Sequence, residues 1–184
     1  MISEKEVIRL SKFLSLVLRH QPEVIGIRLD ENGWTDVALL LQQLNLHHTL
    51  VDMGTLVYVV ETNIKKRFAF NDDRTRIRAS QGHSVPVDLG YAPAQPPALL
   101  YHGTAVQNVN SILQEGLHKR SRRHVHLSAD INTAIKVGQR HGKPQVLKVD
   151  AQRMQQDGLV LYLSANGVWL TDAVPARYIS VAEN

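Results

Sequence analysis

The sequence contains no cysteine, which excludes disulfides and thiolate metal sites and leaves any metal to histidine and carboxylates. No apolar run approaches the length that spans a bilayer. The opening Met1-Ile2-Ser3-Glu4-Lys5 is too polar and too acidic for a signal peptide, so a cytoplasmic protein is expected, with no membrane contact. There is no glycine-rich phosphate loop, no Gly-x-Gly-x-x-Gly dinucleotide fingerprint and no His-Glu-x-x-His zinc helix, which sets aside the common nucleotide and zinc architectures. His47-His48 and the nearby Asp52 resemble ligands only superficially, because adjacent histidines on a helix point in different directions. No metal is expected.

What is present suffices for a globular protein of one generous domain or two lobes: 184 residues, 43% of them apolar. The net charge of +4 conceals an asymmetry. Residues 1–90 hold 11 basic and 11 acidic side chains, against 10 and 6 in residues 91–184. Two local runs stand out: Lys65 to Arg78, with six cations against two aspartates, and His118 to His126, with four cations, three histidines and no acid. Such clusters favour a polyanionic partner.

The apolar periodicity predicts an opening helix that ends on Arg19-His20 before Pro22. Val7, Leu10, Leu14, Val17 and Leu18 share one face of it, with Lys5, Lys12 and Arg19 opposite. A cation before a terminating proline also suits the helix dipole. Yet Leu16, lying between Arg9 and Arg19 on the polar side, suggests that this face meets something other than bulk water. A short strand is expected at 27–29, then helices starting at Thr35 or Asp36 and at Asp52. A β-hairpin follows, from Arg67-Phe68-Ala69-Phe70 to Arg76-Ile77-Arg78-Ala79. Three helices followed by a basic hairpin form a winged-helix pattern, so residues 1–83 are expected to be a nucleic-acid-binding lobe, by fold analogy alone.

Residues 84–98, with four prolines, read as a semi-rigid connector. Residues 99–184 read as an α+β lobe. It has strands at 99–104, 125–127, 146–149, 159–163, 168–170 and 178–181, and helices at 106–114 and from Ser128 or Asp130 towards Gly138. Within it, Tyr101-His102-Gly103-Thr104 ends a strand with an imidazole, a bare backbone and a hydroxyl in one turn. The peptide groups of Gly103 can pair with a carboxamide, which carries both a donor and an acceptor.

These motifs, read with Ser111 to Leu117 and His124 to Asp130, resemble the NAD-binding half of the ADP-ribosyltransferase superfamily. More narrowly, nearly the whole chain resembles the RNA 2′-phosphotransferases, the KptA-like enzymes. The resemblance is carried by Leu18-Arg19-His20, Asn32-Gly33-Trp34, Lys65-Lys66-Arg67-Phe68, Ile77-Arg78-Ala79, Gln81-Gly82-His83-Ser84, Tyr101-His102-Gly103-Thr104 and Arg123-His124-Val125-His126-Leu127. It implies an α+β protein made of a winged-helix lobe and an ADP-ribosyltransferase-like lobe with a split antiparallel sheet, acting as a monomer. The implied reaction is metal-free: an internal 2′-phosphate of RNA attacks the nicotinamide ribose of NAD⁺ and expels nicotinamide. A ribose hydroxyl then attacks phosphorus, releasing 2′-hydroxyl RNA and ADP-ribose 1″,2″-cyclic phosphate.

The resemblance assigns Arg19, His20, Arg67 and Arg123 to catalysis, with Lys65 and Arg78 as auxiliary phosphate or RNA contacts. Arginine suits a phosphate because its planar fork pairs bidentately and stays charged. His20 either orients the ribose or protonates the departing 2′-oxygen. His102, Gly103, Thr104, Ser111, Gly116, His126 and Ser128 are expected to bind NAD⁺. No glutamate lies between Glu115 and Glu183, and a carboxylate would repel a phosphate acceptor. Its absence favours this reading over ADP-ribosylation of protein or of nucleic-acid termini. A non-enzymatic winged-helix binder would leave His102-Gly103-Thr104 and the Arg123 cluster without a task.

Overall fold

The computed structural model describes residues 2–47 and 49–182. The chain separates into two compact units, Met1–Gly90 and Tyr91–Asn184. Both mix helices with small antiparallel sheets, an α+β architecture. Among the described residues no helix is long and apolar enough to cross a membrane.

In the first unit, α1 (Glu4–Val17) begins at a capping box in which Ser3 and Glu6 satisfy each other's backbone N–H. It ends two residues before Arg19: Leu18 is the cap, and His20 closes a further turn through its N–H to Leu16 O. The Pro22–Ile25 segment adds one tight turn, stopped at Gly26, whose φ of 72° suits glycine. Next come β1 (Thr35–Asp36), α2 (Val37–Leu46), α3 (Met53–Glu61), β2 (Phe68–Phe70) and β3 (Arg76–Ala79). Asp36 and Asp52 cap the second and third helices, each accepting a backbone N–H at 2.7 Å. The strands pair antiparallel in the order β1-β3-β2. Leu14 and Leu18 of the first helical segment, Leu40, Leu44 and Leu56 of the next two, and Ile77 of the sheet are fully buried in one core. Each contributes about 1.5–3 kcal/mol by leaving water.

The second unit contains β4 (Leu99–Ala105), α4 (Val109–Glu115), β5 (Leu117–His118), β6 (Val125–Leu127), α5 (Ile131–Gly138), β7 (Pro144–Asp150), α6 (Ala151–Gln156), β8 (Tyr162–Leu163), β9 (Trp169–Thr171), β10 (Ala173–Val174) and β11 (Ile179–Val181). Two three-stranded antiparallel sheets form, β11-β7-β4 and β6-β9-β8, with β10-β5 as a separate pair. A bridge links the edge strands of the two larger sheets, because Tyr101 and Ser128 exchange both backbone hydrogen bonds at 2.9 and 2.7 Å. Leu100, Leu147, Val149, Met154 and Leu161 anchor the core of this unit.

The strand expected at 27–29 does not form. Ile27 is buried, but its N–H donates to Pro22 O, and the chain then folds into a turn around Asp30. The segment expected as a strand at 159–163 pairs only at Tyr162–Leu163. Residues 84–98 divide between the units. Ser84 and Val85 both donate to Arg19 O and Asp88 donates to Glu31 O, whereas Ala94 donates to Leu161 O and Ala98 O accepts from Gln152. A proline-rich stretch has few hydrogen bonds of its own to make, so it docks on its neighbours instead.

Candidate active site

In the first unit, residues distant in sequence converge just beyond the C-terminus of α1. Arg19 Nη2–H donates to Arg67 O at 3.4 Å, and the Arg19 carbonyl accepts from the N–H groups of Ser84 and Val85 at 2.9 and 3.3 Å. His20 Nδ1 lies 2.9 Å from Ser84 Oγ. Arg19, His20 and Arg67 are thus brought together, 48 residues separating the two arginines.

The loop carrying Lys65 and Arg67 is fixed from two sides. Asn63 Oδ1 accepts from Lys65 N–H at 3.1 Å, while Asn63 Nδ2–H donates to Ser11 Oγ of the first helix at 3.0 Å. Ser80 N–H donates to Arg67 O at 2.8 Å and Ser80 Oγ–H to Lys66 O at 2.8 Å. Between the two cations, Lys66 adopts φ 41°, a left-handed conformation that non-glycine residues rarely take. The loop therefore presents Lys65 and Arg67 from a constrained turn.

Not all six cations of this run are available to a ligand. Arg74 pairs with Glu61 at 2.9 Å and Arg76 with Asp30 at 2.6 Å. Arg78 instead stacks over the Trp34 ring, its guanidinium carbon 4.5 Å from the centroid, and donates to Asn32 O at 3.4 Å.

In the second unit, His102 Nδ1 lies 3.1 Å from His126 O. A carbonyl only accepts, so the proton is on Nδ1, and in the neutral ring Nε2 is an acceptor. Burial pushes the His102 pKa below its ordinary 6.5, reinforced by His141 and opposed by the hydrogen bond to His126. His126 is set in the opposite sense: Arg122 Nη1–H donates to its Nδ1 at 2.9 Å, which leaves the ring proton on Nε2. An acceptor on His102 and a donor on His126 thus come from β4 and β6, the strands that the Tyr101–Ser128 bridge joins.

Gly103 is explained first by packing. A Cβ there would lie 1.7 Å from Ala134 O and 2.8 Å from Gly138 N, so it is the backbone of α5 that occupies the space a side chain would take. Its peptide groups remain usable. In an antiparallel ladder each residue directs both its N–H and its C=O to the same side, and the side alternates. Tyr101 directs both towards Ser128, away from β7, so Gly103 does the same.

Thr104 is buried, and its Oγ1 accepts from Asn108 Nδ2–H at 3.4 Å. Ser128 supplies the bridge. Arg123 is exposed and, among the described residues, forms no ion pair. Ser111 lies on the exposed side of α4 with Glu115. Gly116 ends that helix at φ 86°, where a Cβ would meet Val174 O at 2.4 Å. Ser111 and Gly116 belong to α4 and its C-terminal cap, whereas His102 and His126 belong to β4 and β6. The described residues contain no group of three metal-ligating side chains, and His48 and Glu183 lie outside them.

Three residues with evident positioning roles escaped sequence reasoning: Ser84, Asn63 and Arg122. Ser84 stood within a recognised motif, but its partner His20 is 64 residues away. Asn63 carried the signal of an amide just before a basic turn. Arg122 differs from its neighbour Arg123 only in which way it points.

A family model described as RNA 2′-phosphotransferase, Tpt1 / KptA family, matches residues 5–173. A protein of Flavobacterium johnsoniae named "Probable RNA 2′-phosphotransferase" is 56% identical over 170 residues, covering 92% of this chain and 93% of its own. Proteins of the same name are 57% identical in Agrobacterium fabrum, over 94% of this chain and 92% of theirs, and 54% identical in Rhodopirellula baltica, over 98% of both.

Proposed function

The chain belongs to the RNA 2′-phosphotransferase family, and from that premise we propose that it removes an internal 2′-phosphate from RNA with consumption of NAD⁺. The observation that carries this reading is the convergence of Arg19, His20 and Arg67 beside the Lys65 loop. A phosphate dianion is already a nucleophile. What it needs from the protein is cationic binding and orientation, and no base is required to deprotonate it.

Arg19 and Arg67 hold the phosphate oxygens, and Arg123 is a further guanidinium suited to phosphate oxygens. Lys65 supplies a point charge beside them. NAD⁺ supplies an electrophilic anomeric carbon and a nicotinamide leaving group. His102 Nε2, an acceptor, receives a ribose hydroxyl, and the outward N–H and C=O of Gly103 pair with the nicotinamide carboxamide. His126 presents Nε2–H nearby, and Thr104 and Ser128 add polar contacts. In the second step a ribose hydroxyl attacks phosphorus and the RNA 2′-oxygen leaves. The arginines stabilise the charge on the phosphoryl oxygens, and His20 orients the ribose or protonates the leaving oxygen.

The architecture supports the same reading. A three-helix core with a basic hairpin suits a winged-helix RNA-binding lobe, and two antiparallel sheets joined at Tyr101–Ser128 suit the split sheet of an ADP-ribosyltransferase-like lobe. A cytoplasmic location suits a reaction between RNA and NAD⁺.

The test is incubation with NAD⁺ and an RNA bearing one internal 2′-phosphate. The expected products are nicotinamide, 2′-hydroxyl RNA and a cyclic phosphate of ADP-ribose. A stable ADP-ribosyl product, or an RNA that keeps its phosphate without nicotinamide release, overturns the proposal.

A further inference from the structure

The outer face of the first unit's three-stranded sheet carries a second feature that the phosphate chemistry does not use. Register fixes what lies on it. Ile77 and Ala79 of β3 face the core, so Arg76 and Arg78 face outward. Ala69 is the partner of Arg78, and Arg67 O accepts from Ser80 N–H one rung further, which puts Arg67 on the same outward face. On the other side Thr35 pairs with Ile77, so Trp34 falls beside Arg78, as the 4.5 Å stack between them requires. Arg67 and Arg78 are diagonal neighbours, with backbone positions roughly 7–8 Å apart. The row then continues to Trp34.

The Trp34–Arg78 pair is built rigidly. Asp30 Oδ1 accepts from the N–H groups of Asn32 and Trp34 at 3.0 and 2.8 Å, and Asp30 N–H donates to Trp34 O at 2.9 Å. Gly33, at φ 79°, makes the turn possible, and a Cβ there would press on the buried His83 ring at 3.3 Å. Burial pushes the Asp30 carboxyl up, but the hydrogen bonds from Trp34, Arg76 and Asn32 outweigh it and hold it below the usual range, so it stays ionised. Asp30 also engages Arg76. Arg78 is the outward cation on this strand that has no carboxylate among the described residues, and its guanidinium carbon sits over an indole.

We infer that the Trp34–Arg78 stack is a nucleobase platform: a base of the RNA adjoining the phosphate at Arg67 stacks on the outer plane of the Arg78 guanidinium. Guanidinium planes are weakly hydrated on their faces and accept stacked bases, and a pre-set aromatic beneath keeps the ordering cost low. The face therefore reads one nucleotide next to the 2′-phosphate through its ring and is tolerant of which base it is. This inference rests on the reading of Arg67 as a phosphate ligand.

The experiment measures binding of a short fluorescent single-stranded RNA with an internal 2′-phosphate, without NAD⁺, by anisotropy. Three further probes are used: the same RNA with abasic riboses on both sides of the phosphate, and each of these two without the phosphate. The wild-type protein should bind the intact RNA about tenfold more tightly than the abasic one, within the range of one stacked base. Arg78→Lys, which keeps the charge and removes the plane, should abolish that ratio. Trp34→Leu should reduce the ratio as well. Equal wild-type binding of intact and abasic RNA overturns the inference, as does an Arg78→Lys protein that keeps the wild-type ratio. A phosphate that adds no affinity in any probe overturns the phosphate reading instead, and the base-dependent ratio is scored separately.

Discussion

Arg123 and His102 show how differently single residues carry a function. Arg123 is exposed, so Arg123→Ala should leave stability within about 0.5 kcal/mol of wild type. Its expected cost falls on the chemistry. Removing one donor to a developing oxyanion raises a barrier by about 2.7–4 kcal/mol, and the second step, with charge building on phosphorus, should suffer most. ADP-ribosylated RNA should then accumulate in a single-turnover time course resolved on gels. An Arg123→Ala protein that turns over at the wild-type rate with no such species contradicts the assignment of Arg123 to catalysis. His102 acts in stability too, because burial lowers its pKa from the ordinary 6.5. The unfolded chain therefore takes up a proton below pH 6.5 that the folded chain still refuses. Stability falls as pH drops through this window and levels off once the folded ring is protonated as well. His102→Gln should show a smaller loss of urea midpoint between pH 7.5 and pH 5.5 than wild type. Parallel curves would mean that His102 contributes nothing to it.

At the scale of elements, what was legible followed from period and caps. Leu10, Leu14, Val17 and Leu18 repeat at helical spacing and are all buried, and Asp36, Asp52 and Asp130 each cap the helix that follows them. Two-residue strands have no period to read. Thr35–Asp36 and Leu117–His118 become strands only because Ile77 and Val174 arrive beside them from distant parts of the chain. The site was legible in kind but not in support. Arginines and histidines announced phosphate and nucleotide chemistry, whereas Ser84 beside His20 and Asn63 beside Ser11 are products of long-range packing. The space that a side chain at Gly103 would take is filled by the backbone of α5. Gly103→Ala should therefore force the helix off its strand. Backbone atoms cannot swing aside as a flexible side chain can, so the loss should reach at least about 3 kcal/mol, the upper end of ordinary overpacking. Chemical denaturation checks this, and a wild-type midpoint would mean that the strand and helix are not packed this tightly.

For the molecule as a whole, affinity for a polyanion is set by where the cations are displayed rather than by the net charge. Residues 1–90 are formally neutral, with 11 charges of each sign. Within them, however, Arg74 and Arg76 are held by Glu61 and Asp30, while Lys65 and Arg67 are displayed from the turn at Lys66. An arginine already paired with a carboxylate releases few counterions when RNA arrives, because its charge is largely compensated beforehand. A lysine that contacts the phosphate displaces counterions, and for single strands each such contact adds about 0.7 to the slope of log affinity against log salt. RNA-binding isotherms between 50 and 200 mM salt should accordingly lose about 0.7 of slope in Lys65→Ala. Arg74→Ala, which breaks only an exposed pair of little energetic weight, should keep the wild-type slope. Equal losses in the two variants would show that RNA reads the hairpin's total charge and not its arrangement, and the local assignment of the phosphate contacts would then fail.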